Sequence, residues 1–227
     1  MARDKEVAGR RAAAEVQDGM TIGLGTGSTV EYTLIALGER IRHEGLKIHG
    51  VPTSVRTADR ARELGIPLAD LSEVTELALT IDGADEVDPQ FRLVKGGGGA
   101  LLREKVVASI TRKQITIVGE NKLVDRLADA FPLPVEIVPF ARPVVERRLR
   151  ALGGEPVLRM AGNDAYRTDN GNAILDTRFP GGLQDPEAME RTLAGIPGLV
   201  ESGLFIGLCK MVVIGWPDGR LEVREPC

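Results

Sequence analysis

The chain has 227 residues, of which 43% are hydrophobic and 27% charged, a balance that suits one large domain or one domain carrying a smaller one. A formal net charge of −4 at pH 7 and a pI near 5.4 leave no global basic field for nucleic acid, so anions would have to be held by local lysines and backbone amides. Cys209 and Cys227 make neither a disulfide framework nor a metal-ligand set, and His43 and His49 flank a polar connection at no zinc spacing.

An alanine-rich segment ending near Asp18-Gly19 is expected to be helical, and Thr21–Leu24 is a short strand ending in glycines. After Ser28-Thr29, Val30, Leu34, Leu37 and Ile41 recur at helical spacing. A second strand fits Lys47–Val51, and a helix over Arg56–Leu64 closes at Gly65. Leu77–Ile81 is a third strand running into Asp82-Gly83, Ala100–Thr111 a helix, and Gln114–Val118 a further buried strand. Strands separated by helices of this length imply a parallel, Rossmann-like α/β sheet with helices on both faces.

The pattern changes near Phe131. Prolines bracket Val135–Val138, a helix carries Val145, Leu149 and Leu152, and antiparallel strands follow at Val157–Met160 and Ala173–Asp176. Tyr166-Arg167-Thr168 is placed to pair between them, and Asn170-Gly171 is a hairpin signal because both residues tolerate positive φ. Asp185 caps a helix with Pro186 in its first turn, Gly195 ends it, and Leu199–Phe205 reads as one more strand. Residues 132–203 therefore read as a small α+β, ferredoxin-like domain inserted into a catalytic domain of residues 1–131 and 204–227. Met211–Ile214 and Leu221–Val223 return the chain to the first sheet.

Four motifs could carry chemistry. Gly23-Leu24-Gly25-Thr26-Gly27-Ser28-Thr29 joins a strand to a helix, where free amides and hydroxyls suit a phosphate or carboxylate. It lacks the lysine of a P-loop, and Ser28 stands where a dinucleotide fingerprint needs its third glycine. Asp82-Gly83-Ala84-Asp85-Glu86-Val87-Asp88 follows a buried strand, at the end where open parallel sheets bind ligands. Its acids fit a solvated loop or acid–base groups beside a polyol better than a metal, since no histidine is near and the spacing fits no calcium loop. Asp82 and Asp85 are expected to face the crevice, and Glu86 and Asp88 to be solvated. Lys95-Gly96-Gly97-Gly98-Gly99 spends four glycines on one turn, as a backbone wrapped around a ligand requires. Lys95 stands at its start as a cation for a developing oxyanion, and Glu104 lies within about two turns of the helix that follows. Read alone, Glu104 is an ordinary solvated helix acid. Lys122, after a strand end at Gly119-Glu120-Asn121, could meet substrate oxygens or simply stand exposed.

Taken together, these residues resemble ribose-5-phosphate isomerase type A. The resemblance rests on Gly-Thr-Gly-Ser-Thr at 25–29, Asp-Gly-Ala-Asp-Glu-Val-Asp at 82–88 and Lys-Gly-Gly-Gly-Gly-Ala-Leu-Leu-Arg-Glu-Lys at 95–105. Pro-Leu-Pro-Val-Glu at 132–136, Thr-Asp-Asn-Gly-Asn at 168–172 and Gly-Leu-Phe at 203–205 extend it nearly end to end. It implies a two-domain α/β subunit working as a homodimer or dimer of dimers, with no cofactor and no metal. It also implies that Thr26, Gly27, Ser28 and Thr29 hold the phosphate or sugar. Asp82, Gly83, Ala84, Asp85, Lys95, Gly96, Gly97 and Gly98 would line the sugar site, Lys122 would contact substrate, and Glu104 would accept the proton. The family commonly has Asp-x-Ser-Lys where this chain has Gly119-Glu120-Asn121-Lys122.

The implied reaction moves a proton between C2 and C1 of ribose 5-phosphate and ribulose 5-phosphate through an enediolate, and one carboxylate over both carbons can do so. Lys95 would stabilise the enediolate oxygen, Asp82 would assist ring opening or transfer between hydroxyls, and the phosphate anchor would orient the sugar. The rival readings are a coenzyme A transferase-like relative, with Glu104 as nucleophile, and a non-catalytic sugar-phosphate sensor. The sensor of a repressor would need a DNA-reading helix-turn-helix, and the glycine turn already begins at residue 23. No apolar run approaches about 18 residues, and the start of the chain lacks an apolar signal region, so a cytoplasmic enzyme without membrane partners is expected.

Overall fold

The computed structural model describes residues 3–226. In chain order its elements are α1 (Arg3–Ala13), β1 (Thr21–Leu24), α2 (Val30–Glu44), β2 (His49–Pro52), α3 (Val55–Glu63), β3 (Leu77–Gly83), β4 (Glu86–Val87), β5 (Leu93–Val94), α4 (Leu101–Ser109) and β6 (Thr111–Gly119). There follow β7 (Leu133–Ile137), α5 (Arg142–Ala151), β8 (Glu155–Leu158), β9 (Met160–Ala161), β10 (Asp164–Ala165), β11 (Ala173–Arg178), α6 (Pro186–Ala194), β12 (Leu199–Ser202), β13 (Leu204–Phe205), β14 (Cys209–Gly215) and β15 (Leu221–Arg224). None of the described helices is long and apolar enough to cross a membrane.

The chain divides into two compact units. The first runs up to Ala84, resumes at Arg103–Lys122 and ends with the segment from Leu208 onward. Its sheet has the order β15-β14-β6-β3-β1-β2, with every pair parallel except β14–β15. Strands buried on both faces need continuous apolar runs, and β6 supplies one with Ile115, Ile117 and Val118 at 1% exposure or less. Helices α1 and α2 add Ala8, Ala12, Val30, Leu34 and Leu37 to the same core. Ser54 caps α3 by accepting from the Thr57 amide, and Gly45 ends α2 at φ 72°.

The second unit comprises Asp85–Leu102 and Leu123–Gly207. From Leu133 to Ser202 it runs β-α-β-β-α-β, with the antiparallel sheet order β12-β7-β11-β8. Leu133, Val135 and Ile137 of β7 alternate onto the core with Val145, Leu149 and Leu193. Asp185 caps α6 through the Ala188 amide. This unit also takes in segments outside the expected 132–203 insertion, because β13 pairs with β5 and β5 with β4 in a separate small sheet. The single strand expected over Leu199–Phe205 is split between two sheets. Gly203 is the break: its amide donates to Pro134 O and its carbonyl accepts from the Lys95 amide. A methyl there would collide with the Lys95 carbonyl. Tyr166-Arg167-Thr168 forms no strand; the short hairpin of β9 and β10 stands in its place.

Candidate functional site

In the first unit, the Gly25–Thr29 turn, Asp82-Gly83 and Lys122 follow or close the carboxyl ends of the neighbouring parallel strands β1, β3 and β6, where open α/β sheets present ligand-binding groups. The turn and the aspartate are built into each other. Asp82 is 1% exposed, and its Oδ1 accepts from the Thr26 amide at 2.9 Å and the Gly83 amide at 2.8 Å. Gly25 permits this approach, since a methyl on it would fall on the Asp82 carboxylate.

Thr26 differs in role from its neighbours. Its buried hydroxyl lies 2.8 Å from the hydroxyls of Thr53 and Ser54 and 3.1 Å from that of Thr57, so it braces the turn from below. Gly27, Ser28 and Thr29 form the outer part, with Ser28 exposed. Thr29 stands at the N-cap of α2 without a side-chain capping bond, which leaves its hydroxyl to an anion, while the Glu31 and Tyr32 amides donate to the Gly27 and Thr29 carbonyls. Lys5 of α1 donates to Ser28 Oγ at 2.9 Å and adds a cation to this edge. No sequence signal marks it, since it is one lysine on the polar side of an alanine-rich helix.

Glu104 is 4% exposed, so it is not the solvated helix acid that it resembles in isolation. It lies on the buried stripe of α4 with Val107 and Ala108, at the i+3 and i+4 spacing of one helix face. A carboxylate in that stripe is costly unless it is paired and hydrogen-bonded. Lys122 closes the short helical turn after β6 and is partly buried. At Gly119, where the family pattern has aspartate, an added Cβ would lie 2.9 Å from Asp4 Oδ2 and 3.0 Å from Asn121 Oδ1. The carboxylate of Asp4, on α1, fills that space.

In the second unit, Asp85 Oδ2 accepts from the Gly97 amide at 2.7 Å. Lys95 is 2% exposed, and its ammonium nitrogen lies 5.4 Å from the centre of the Phe205 ring, within cation–π distance. Gly96 and Gly99 have φ of 108° and 79°, conformations that side chains rarely adopt. Gly97 and Gly98 are exposed at the tip of the turn, while Gly83 and Ala84, of the first unit, are half-buried.

The expectation that Glu86 and Asp88 are solvated is overturned. They are 1% and 3% exposed and hold backbone. Glu86 accepts from the amides of Ala128, Ala130 and Phe131 at 2.6, 3.1 and 2.7 Å. Burial pushes its carboxyl above the ordinary 4.5, while those amides pull the other way. Asp88 accepts from the amides of Gln90 and Arg92 and from the Arg92 guanidinium. Four acids in seven residues thus serve two ends, and their spacing does not separate them.

A further buried acid lies in the second unit. Glu136 of β7 is fully buried, and its Oε1 accepts from the Thr168 hydroxyl and the side-chain amides of Asn170 and Asn172. The Thr-Asp-Asn-Gly-Asn segment is thereby tied to the centre of the antiparallel sheet.

Residues 49–219 match the family model for ribose 5-phosphate isomerase A (phosphoriboisomerase A). The chain is 50% identical over 228 residues to ribose-5-phosphate isomerase A of Ruegeria sp. (strain TM1040), covering 97% of this chain and 86% of that one. Among solved structures it is similar to ribose 5-phosphate isomerase from Plasmodium falciparum, with a TM-score of 0.95, 36% identity and coverage of 100% and 99%. A D-ribose-5-phosphate isomerase in complex with phospho-erythronic acid gives a TM-score of 0.94 at 39% identity, covering 98% and 97%. With its family model, its relatives and its fold in agreement, the chain belongs to the ribose 5-phosphate isomerase A family.

Proposed function

We propose that the chain interconverts D-ribose 5-phosphate and D-ribulose 5-phosphate through an enediolate, with Glu104 carrying the proton between C2 and C1. The observation that carries this reading is a carboxylate only 4% exposed on a helix entered through the Lys95-Gly96-Gly97-Gly98-Gly99 turn, in a chain of this family. Burial keeps water from competing for the proton and strengthens the fields acting on the enediolate. Lys95 supplies the positive charge that the enediolate oxygen needs. Asp82, held by two amides, assists ring opening by exchanging a proton with a ring hydroxyl. Gly27, Ser28 and Thr29, with Lys5, hold the phosphate at the end remote from the chemistry and orient the sugar. Gly83, Ala84, Asp85, Gly96, Gly97, Gly98 and Lys122 line the sugar chain. The proton transfer needs no cofactor or metal, because one carboxylate and one cation complete it.

The enzyme acts as a homodimer in the cytoplasm. Support for self-association comes from Phe140, 95% exposed, beside the exposed Val138 and Val144, an apolar grouping that water disfavours; light scattering on the purified protein tests it.

The test of the function is turnover of ribose 5-phosphate by wild type and Glu104→Gln. The variant should retain substrate binding and lose about 10²-fold or more in kcat, the scale of positioned acid–base catalysis. Near-normal turnover would remove Glu104 from the role of base.

A further inference from the structure

The glycine turn is held from behind by residues that no motif includes. Arg159, between β8 and β9, donates from Nη1 to the Gly96 carbonyl at 2.9 Å and to the Gly97 carbonyl at 3.2 Å. Its other nitrogens are locked on Asp176 of β11, Nε to Oδ2 at 2.9 Å and Nη2 to Oδ1 at 2.5 Å. The Tyr166 ring lies 5.7 Å from the guanidinium carbon, and its hydroxyl occupies the space that a side chain on Gly99 would need.

This arrangement constrains the peptide planes. A trans peptide is planar, so the N–H of each residue points opposite to the preceding carbonyl. With the Gly96 carbonyl turned to Arg159, the Gly97 N–H points the other way, and it meets Asp85 Oδ2 at 2.7 Å. With the Gly97 carbonyl also turned to Arg159, the Gly98 N–H is directed to the same side as the Gly97 N–H, on a residue that is exposed. The Gly99 amide also donates to the Gly96 carbonyl at 2.9 Å, but nothing within the four glycines fixes the Gly97 carbonyl, which glycine leaves free to turn. A paired guanidinium, whose charge Asp176 largely cancels, adds directed bonds without adding a net field.

We propose that Arg159, locked by Asp176, is a positioning residue for the isomerisation: it fixes the Gly96 and Gly97 peptide planes so that the Gly98 amide stands as a donor for a substrate oxygen that gains negative charge in the enediolate. This rests on the isomerase reading above. A donor of this kind acts on the developing charge and not on the phosphate, so its loss falls on kcat.

The experiment compares wild type, Arg159→Met, Arg159→Lys and Asp176→Asn in steady-state turnover of ribose 5-phosphate, in inhibition by phospho-erythronic acid and by inorganic phosphate, and in urea unfolding. Arg159→Met should lower kcat by about 10–10²-fold, as for misplacement of a catalytic group by about an ångström, with KM within about threefold. The phospho-erythronic acid Ki should rise, while the Ki of inorganic phosphate stays within about twofold. Arg159→Lys, with one donor for the carbonyls and a weaker hold on Asp176, should recover part of kcat. Asp176→Asn should lie between wild type and Arg159→Met, and it keeps the test open if the methionine variant does not fold. A kcat within threefold of wild type in Arg159→Met, or a loss that only tracks the unfolded fraction, would overturn the inference and leave the isomerase reading intact. An inactive wild type would overturn that reading and the inference with it.

Discussion

Substituting Gly25 by alanine tests the link between the phosphate turn and Asp82. The new methyl would lie on the Asp82 carboxylate and close to its Cα, so either β1 or β3 must move at its carboxyl end. Forcing one carbon into packed structure costs about 1–3 kcal/mol. Displacing Asp82 also weakens the bond from the Thr26 amide, and a bond to a charged acceptor is worth about 1.5–3 kcal/mol. The expected loss of stability is therefore about 3 kcal/mol or more, and a shift of about an ångström at Asp82 should lower turnover by about 10²-fold. Gly45→Ala is the control: its φ is 72° and no atom lies within 4 Å of an added Cβ. It should cost roughly 1–2 kcal/mol of backbone strain and leave kcat unchanged. Urea unfolding and a ribulose 5-phosphate assay on both variants decide the matter. If Gly25→Ala matched Gly45→Ala in both, the contact between turn and carboxylate would have no functional weight.

Two further predictions follow from charges held near one another or away from water. Because burial raises the Glu86 carboxyl above 4.5, the folded state binds its proton more tightly than the unfolded chain. The stability this adds is fully present below the ordinary value and is lost as pH rises through the raised one. Urea midpoints of wild type should therefore fall relative to those of Glu86→Gln across that window, and a constant difference would contradict the reasoning. Restoring the family's aspartate by Gly119→Asp places a second carboxylate against Asp4, whose Oδ2 would be 2.9 Å from the new Cβ. Repulsion at 4 Å in a dielectric near 20 is about 4 kcal/mol, and partial exposure reduces it to roughly 1–2 kcal/mol. Combining it with Asp4→Asn should recover most of the loss in a double-mutant cycle, whereas simple additivity would show that the two groups do not meet.

The strands of the parallel sheet were legible because both of their faces are buried: Thr21–Leu24 and Leu77–Ile81 announce themselves as apolar runs closed by glycine or by Asp-Gly. The caps at Asp185 and Gly65 were legible for a local reason, since each needs only its own helix end. Other features depend on partners far along the chain. Glu86 reads like Asp85 until the amides of residues 128–131 come to it, and Leu199–Phe205 reads as one strand until Lys95 and Pro134 take the two sides of Gly203. Glu104 was legible in part, because its place on the stripe of Val107 and Ala108 is a matter of helical spacing. Lys5 and Arg159 were not, since long basic side chains on polar faces give no sign of what they reach.

The sheet order β15-β14-β6-β3-β1-β2 bears on how the protein is made. Helix α1 is synthesised well before β14, yet Gly215 at the end of β14 lies so close to the Asp4 carbonyl that no side chain fits between them. The helix therefore waits for a strand that follows it by about 200 residues, on the order of tens of seconds later at about 5–20 residues per second. From its own synthesis until that of β14, the β6 edge lacks its partner, and an open apolar edge invites pairing with other chains. The segment from Leu133 to Ser202, contiguous in sequence, can close its own four-stranded sheet in the meantime. Nascent chains arrested before Cys209 should accordingly show a protease-resistant second unit beside an unprotected first one.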